Sequence, residues 1–318
     1  MKPTERGGDI LIWALLLSAP FWLPLIGGYV ELGTRVVIYA LAAMSLNFLL
    51  GYTGVLSFGH AAYFGLGAYG TALTIKYLVP STPVGMLAGI VLGTVAAAII
   101  GPMIVRLRGV YFAMCTIAFG QIWYYIAYSW NDFTGGFDGL RDFHREPIGF
   151  GAFTFDITDG ETKFYFFVLA VFAVAVTVMG LILRSPFGRT LLAIRENERR
   201  ARFLGIPVER HIWLSFSIST FFAALAGTLY ALLNNFADPL TLHYSLSGEF
   251  VVMTVIGGMR TFWGPLVGAA LFVMLQDYIS SMTVNWMSFI GVIFILVVLF
   301  FPRGLLGMRR RPQSAGKA

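Results

Sequence analysis

The side chains able to do chemistry are few in this sequence, and they do not form a reacting set. His60 is the one histidine inside a long apolar run; His144, His211 and His243 lie in or beside charged and turn-rich segments. Cys115 is the single cysteine, which rules out an intrachain disulfide. Glu249 opens another apolar stretch, two residues after Ser247. The chain has no GxxxxGK[ST] phosphate loop, no HExxH pair and no GxSxG turn. With one cysteine and no second histidine at helical spacing from His60, it also lacks metal-ligand spacing. These absences point away from an enzyme. If the protein moves something against a gradient, the energy comes from another chain.

A membrane must position these groups. The 318 residues are 58% hydrophobic and 12% charged, with mean hydropathy +0.77, above the roughly 45–50% apolar usage of soluble domains. Apolar runs recur at 10–26, 33–50, 55–78, 84–105, 110–130, 164–183, 212–234, 249–258, 265–281 and 285–301. Several approach the ~20 residues a helix needs to cross hydrocarbon. The third run is Gly-rich and the eighth is short. The first follows Lys2 and Arg6 with no small-residue cleavage site behind it, so it reads as an uncleaved span. With both ends in the cytoplasm, segments 1–9, 106–109, 184–211, 259–264 and 302–318 lie inside and hold seventeen of the 22 Lys and Arg residues, the bias expected of cytoplasmic loops. The expected fold class is therefore an all-α integral membrane protein: a polytopic helix bundle of about ten transmembrane spans, N- and C-termini cytoplasmic, forming a single transmembrane domain over 1–318. The loops of this one membrane domain are an external loop at 131–163 with seven acids, a charged cytoplasmic loop at 184–211 and a basic cytoplasmic tail at 302–318. The net charge of +6 reflects this topology and contact with anionic membrane lipid, not nucleic acid.

Two glycine-rich stretches bear on a transport path. GYTGVLSFGHAAYFGLGAYG (51–70) contains six glycines, each costing about 1 kcal/mol relative to Ala in a helix. Either they let helices approach closely, or 51–59 is a broken or re-entrant segment whose backbone lines a cavity. Small-xxx-small pairs at Gly89/Gly93, Ala223/Gly227, Gly227/Ala231 and Gly264/Gly268 read as packing. In SLSGEFVVMTVIGGMRTFWGP (245–265), Gly257-Gly258 interrupts an apolar run too short to cross unbroken, so the span bends there or the helix continues through the glycines. Gly54, Ser57, His60 and Glu249 are the candidate substrate-pathway residues, since ionisable groups at membrane depth are functional by default. Against this, His60 could be an imidazole satisfied by a neighbouring helix, and Glu249 a helix-start carboxylate favourable to the N-terminal dipole.

GRTLLAIRENERRARFLG (188–205) concentrates charge in the middle of an otherwise oily chain. Pro186 before it, and Gly205 and Pro207 after it, predict a single helix of about 15 residues. Such a helix could lie on the anionic inner leaflet or dock in a groove on a protein partner, where Glu196 and Glu198 fit better. Extended to 189–231 (RTLLAIRENERRARFLGIPVERHIWLSFSISTFFAALAGTLYA), the stretch resembles the permease subunits of branched-chain amino acid ABC importers. So do GYTGVLSFGHAAYFGLGAY (51–69), TGGFDGL (134–140) and SGEFVVMTVIGGMRTFWGPLVGAAL (247–271). The resemblance implies a transport subunit of the bacterial inner (plasma) membrane with no cofactor of its own. Its partners would be a second homologous permease, two cytoplasmic ABC ATPases that carry ATP and magnesium, and a soluble periplasmic or external substrate-binding protein. Branched-chain amino acids are the implied substrate, with urea, amides or aromatic acids as the family's other options. Ala193, Arg195, Glu196, Asn197 and Gly205 fall where such permeases carry the helix that couples to the ATPase, although the general Glu-Ala-Ala start of that loop is absent. An ion-coupled secondary transporter using His60 and Glu249 is the reading from a different class, and the scarcity of ionisable residues at depth weighs against it.

Overall fold

A computed structural model of the protein describes residues 3–150, 153–155, 160–300 and 304–306. The helices are α1 (Pro3–Trp22), α2 (Val30–Asn47, prolonged by a π-helical turn Phe48–Thr53), α3 (His60–Leu73, prolonged by Thr74–Leu78), α4 (Thr82–Ile104), α5 (Val110–Ser129) and α6 (Asn131–Thr134). A hairpin of β1 (Ile148–Phe150) and β2 (Phe153–Phe155) follows, pairing Ile148 with Phe155. The chain then forms α7 (Glu161–Arg184), α8 (Pro186–Glu196), α9 (Glu198–Phe203), α10 (Val208–Asn234), α11 (Tyr244–Gly257), α12 (Gly264–Met282) and α13 (Trp286–Phe300). Each of the ten apolar runs carries one helix. Six are long and apolar enough to cross a membrane: Val30–Thr53, Thr82–Ile104, Val110–Ser129, Glu161–Arg184, Val208–Asn234 and Gly264–Met282. Asp9–Trp22, Tyr244–Gly257 and Trp286–Val297 are shorter apolar helices. The basic residues of the tail, Arg303, Arg309, Arg310, Arg311 and Lys317, lie outside the described residues.

Three expectations need correction. The run at 55–78 is not helical throughout: α2 ends at Thr53, Gly54 takes a left-handed conformation (φ +81°), and α3 starts only at His60. The run at 249–258 begins five residues earlier, at Tyr244, and the helix neither bends nor continues at the glycine pair but stops there, with Gly258 at φ +118°. The charged stretch 188–205 is not one helix; it breaks at Asn197 into α8 and α9.

The helices share two ends. At one end Trp263 donates to Asp9 (2.7 Å), Asn47 donates to the carbonyl of Thr261 (3.0 Å), and Arg108 meets Glu198. At the other, Tyr29 donates to Asp277 (2.7 Å), Lys76 donates to the carbonyl of Arg141 (2.8 Å), and Thr82 donates to the carbonyl of Glu146 (2.7 Å). Between them, α3 is the innermost element, with nearly every residue from His60 to Ala72 buried. It lies against α4 and α10 through glycine. A Cβ at Gly67 would strike the carbonyl of Ala224, one at Gly227 the carbonyl of Phe64, and one at Gly70 the backbone of Gly89 (2.7 Å). Backbones come this close only where side chains are missing, which supplies van der Waals contact between helices that hydrocarbon does not otherwise drive together. The outward faces of α4 and α13, with Leu87, Val91, Ile99, Leu296 and Leu299 exposed, are apolar.

Candidate functional site

The charged segment is built to turn sharply and hold its shape. Ser185 caps α8 by accepting from Gly188 N–H (3.4 Å), and Pro186 fills the first helical position, where a missing N–H loses nothing. Gly188 is required because a side chain there would run into the carbonyl of Leu183. At Asn197 the backbone is extended (φ −157°, ψ 97°), and its side-chain oxygen accepts from Arg200 N–H (2.9 Å), so one residue both ends α8 and caps α9. Gly205, at φ +80°, closes the segment, with Ile206 N–H donating to the carbonyl of Ala201 (3.2 Å).

The segment has two faces. On the inner one Leu191, Ile194 and Ala201 are buried, and the latter two join Val105, Val208 and Ile212 in a small cluster where α4 ends and α10 begins. On the outer one Ala193, Glu196, Asn197, Arg199, Arg200 and Gly205 are exposed. Phe203 and Leu204, 90% and 76% exposed, stand among these charges. The outer face thus combines two large exposed apolar side chains with charges of both signs.

Two arginines connect this segment to the bundle. Arg195 turns inward: its guanidinium donates to the carbonyl of Gly51, and its stem passes Gly54, where a Cβ would come within 2.8 Å of Arg195 Cγ. The end of α8 is thus fastened to the point where the α2–α3 connection unwinds. Arg108, between α4 and α5, donates from Nε to both carboxylate oxygens of Glu198 (2.9 and 2.8 Å) and is itself held by the carbonyl of Val105. Arg202 adds contacts to Glu198 (2.9 Å) and Glu209 (2.5 Å). The Arg108 hydrogen bond holds the Glu198 carboxyl below the usual carboxylate range. Between the two tethers lies a cleft of about 460 Å³, lined by Gly54, Val55, Phe58, Arg108, Arg195 and Glu198.

The four candidate pathway residues are not brought together. Gly54 lines the cleft, whereas Ser57 and His60 are fully buried in the packed core. Ser45 donates to the carbonyl of Ala42 (2.6 Å), leaving its oxygen to accept from His60 Nε2 (2.9 Å), with Ser219 alongside at 3.5 Å. Glu249 sits in the second turn of α11, and among the described residues it shares no hydrogen bond or ion pair with His60. Its neighbour Ser247 does reach the same region: Ser247 Oγ accepts from Ala61 N–H (2.8 Å) at the start of α3. Among the described residues, no three His, Cys, Asp or Glu cluster where they could hold a metal ion. Sequence reasoning missed Arg108 and the structural role of Gly51. Only the basic Arg106–Arg108 connector hinted at the first, and no local pattern marks the second.

The chain resembles the high-affinity branched-chain amino acid transport system permease protein LivM of Salmonella typhimurium at 29% identity, over 96% of this chain and 76% of the relative. It resembles the protein of the same name from Escherichia coli K12 at 28% over the same shares. The permease protein LivH of Escherichia coli K12 is 24% identical over 86% of this chain and 92% of its own length. No solved structure matches the chain. Residues 28–298, which include both faces of the charged segment and the broken α2–α3 connection, match the family described as branched-chain amino acid transport system / permease component, and the chain belongs to that family.

Proposed function

We propose that this chain is the permease subunit of an ATP-driven importer for branched-chain amino acids in the bacterial inner membrane. It would work beside a second homologous permease, two cytoplasmic ABC ATPases and an external substrate-binding protein. All ten apolar helices cross the bilayer, with both termini in the cytoplasm. The 17-to-5 division of Lys and Arg supports this orientation, and so does the gathering of α4–α5, α8–α9 and the α11–α12 turn at one end. ATP binds to the partners, since this sequence has no phosphate loop of its own.

One observation carries the reading: a segment that exposes Phe203, Leu204, Glu196 and Arg200 on one face while Arg195 and Glu198 grip the bundle with the other. When the ATPases close, they displace α8 and α9. The Arg195 tether then moves the α2–α3 break, and the Arg108–Glu198 pair moves the α4–α5 turn. Gly54, Ser57, His60 and Glu249 are the residues along which access changes. Purification from the native host in mild detergent, followed by mass spectrometry, tests the assignment against a variant carrying Glu196→Ala and Gly205→Pro. ATPases and a second permease should accompany the wild type and leave the variant. The same partners in both preparations would remove the docking role from this segment.

A further inference from the structure

A second cleft, of about 290 Å³, lies at the opposite end of the bundle. Both α5 and α10 start beside the α8–α9 segment and end at this cleft. From Val110 to Tyr128 the helix rises about 27 Å, close to the ~30 Å of a bilayer's hydrocarbon. The cleft is therefore the outer mouth if α8–α9 faces the cytoplasm. Two loops far apart in sequence form it. Leu140 and Ala237 exchange backbone hydrogen bonds of 2.9 and 3.1 Å, which fixes 138–141 beside 236–240. Lys76, at the end of α3, ties down the carbonyl of Arg141.

The walls combine three kinds of group. Tyr124 and Tyr128, rings 5.6 Å apart, and Phe236 supply aromatic faces. Asp138 and Asp238 supply carboxylates; one Asp238 oxygen accepts from Leu240 N–H (2.8 Å). Arg141 lies with its guanidinium over the Phe236 ring, 5.1 Å from the centroid. Among the described residues, neither the Arg141 guanidinium nor the Asp138 carboxylate has a hydrogen-bond or ion-pair partner. A fixed cation, two anions and aromatic faces in so small a space match the charges of a zwitterion. Ammonium groups are attracted to carboxylates and to ring faces, and a guanidinium forks onto a carboxylate. The volume sits at the lower edge of the roughly 300–1,000 Å³ usual for small-molecule clefts, which suits a single amino acid better than a peptide. The loop that floors the cleft continues inward, where Leu242 packs against Gly65 of α3.

We propose that this cleft is a receiving subsite on the permease itself for a free zwitterionic amino acid with an apolar side chain. Arg141 binds the carboxylate, and Asp138 with Asp238 binds the ammonium. This deepens the importer reading and rests on it for orientation. The test uses the complete permease–ATPase complex in nanodiscs without the external binding protein. L-leucine, leucinamide (which lacks the carboxylate) and 4-methylpentanoate (which lacks the ammonium) are titrated and followed by saturation-transfer NMR. Arg141→Gln should weaken L-leucine at least tenfold and leave leucinamide unchanged; Asp238→Asn should weaken L-leucine and spare 4-methylpentanoate. Docking of the binding protein, measured in parallel, should keep its wild-type affinity in both variants. If L-leucine affinity is the same in wild type and variants, or if only docking is lost, the cleft is not an amino-acid subsite. Uptake of leucine without Arg141-dependent binding overturns the subsite and leaves the importer intact. Arg141-dependent binding without ATP-driven uptake keeps the subsite and overturns the importer.

Discussion

Replacing Arg195 by Met separates what this residue does from where it sits. Methionine keeps most of the unbranched stem that packs on Gly54 and removes every donor to the carbonyl of Gly51. A hydrogen bond from a charged donor contributes about 1.5–3 kcal/mol, and discounting for the partial exposure of Arg195 leaves about 1–2 kcal/mol. If that bond transmits displacement from α8 to the α2–α3 break, its loss reduces coupling by about 5- to 30-fold. The assay is a proteoliposome holding the complete transporter, with the external binding protein and leucine outside and ATP supplied to the ATPases. Leucine taken up and ATP hydrolysed are measured in the same vesicles. Uptake per ATP should fall while ATP hydrolysis and co-purification of the ATPases stay as in wild type. An unchanged ratio would refute the tether. A loss of ATPase association would make Arg195 a docking residue instead. Gly54→Ala should lower the same ratio by a different route, because alanine is strained at φ +81° and its methyl presses on the Arg195 stem.

Three further outcomes follow from the geometry. Glu198→Gln weakens the link to Arg108 by no more than about 1 kcal/mol, since these side chains are 30% and 34% exposed. Because pairing lowers the folded carboxyl's pKa, its contribution is complete above the unfolded value near about 4.3 and is lost as pH falls through the folded one. The thermal-stability gap between wild type and variant should hold at neutral pH and close only in stronger acid. Gly227→Val drives a side chain into the backbone of Phe64 and should cost about 3 kcal/mol or more, read as loss of the monodisperse peak in size-exclusion chromatography. Gly248→Ala, with nothing within 4 Å of the added methyl, should leave that peak intact. Ser247→Ala strands the buried N–H of Ala61 and should destabilise by about 1–3 kcal/mol in a detergent melt, with Ser247→Thr restoring part of the loss.

Much of this architecture was legible because a bilayer imposes its length scale on sequence. Ten apolar runs became ten helices, and the paired small residues at Gly89/Gly93 and Gly264/Gly268 became close backbone contacts. Legibility failed where one residue overrides its neighbours. Nothing in the composition of 188–205 distinguishes one helix from two. The break depends on Asn197 using its side chain as a cap, a choice open to every Asn and made by tertiary packing on both sides. The break between Gly54 and Gly59 was one of two readings, because glycine serves close packing and sharp turning equally well. The cleft at the end opposite α8–α9 is illegible in the sequence for another reason. TGGFDGL is a motif in the sequence, but its partners Phe236 and Asp238 are about a hundred residues away, brought beside it by the Leu140–Ala237 bridge.

The glycine contacts of α3 also set a timetable. The helix is not among the segments long and apolar enough to cross a membrane by length and composition, and the turn that prolongs it carries Lys76. Its closest backbone partner, around Gly227, is 160 residues downstream of Gly67. At about 5–20 residues per second, a ribosome needs roughly 8–30 s to deliver that partner. During this interval α2, α4 and α5 already shelter part of α3, but the Gly67 face that meets Ala224 has no partner. A newborn chain is therefore most vulnerable to membrane quality control after α4 has emerged and before α10 has, and substitutions at Gly67 or Gly227 lengthen that exposure indefinitely.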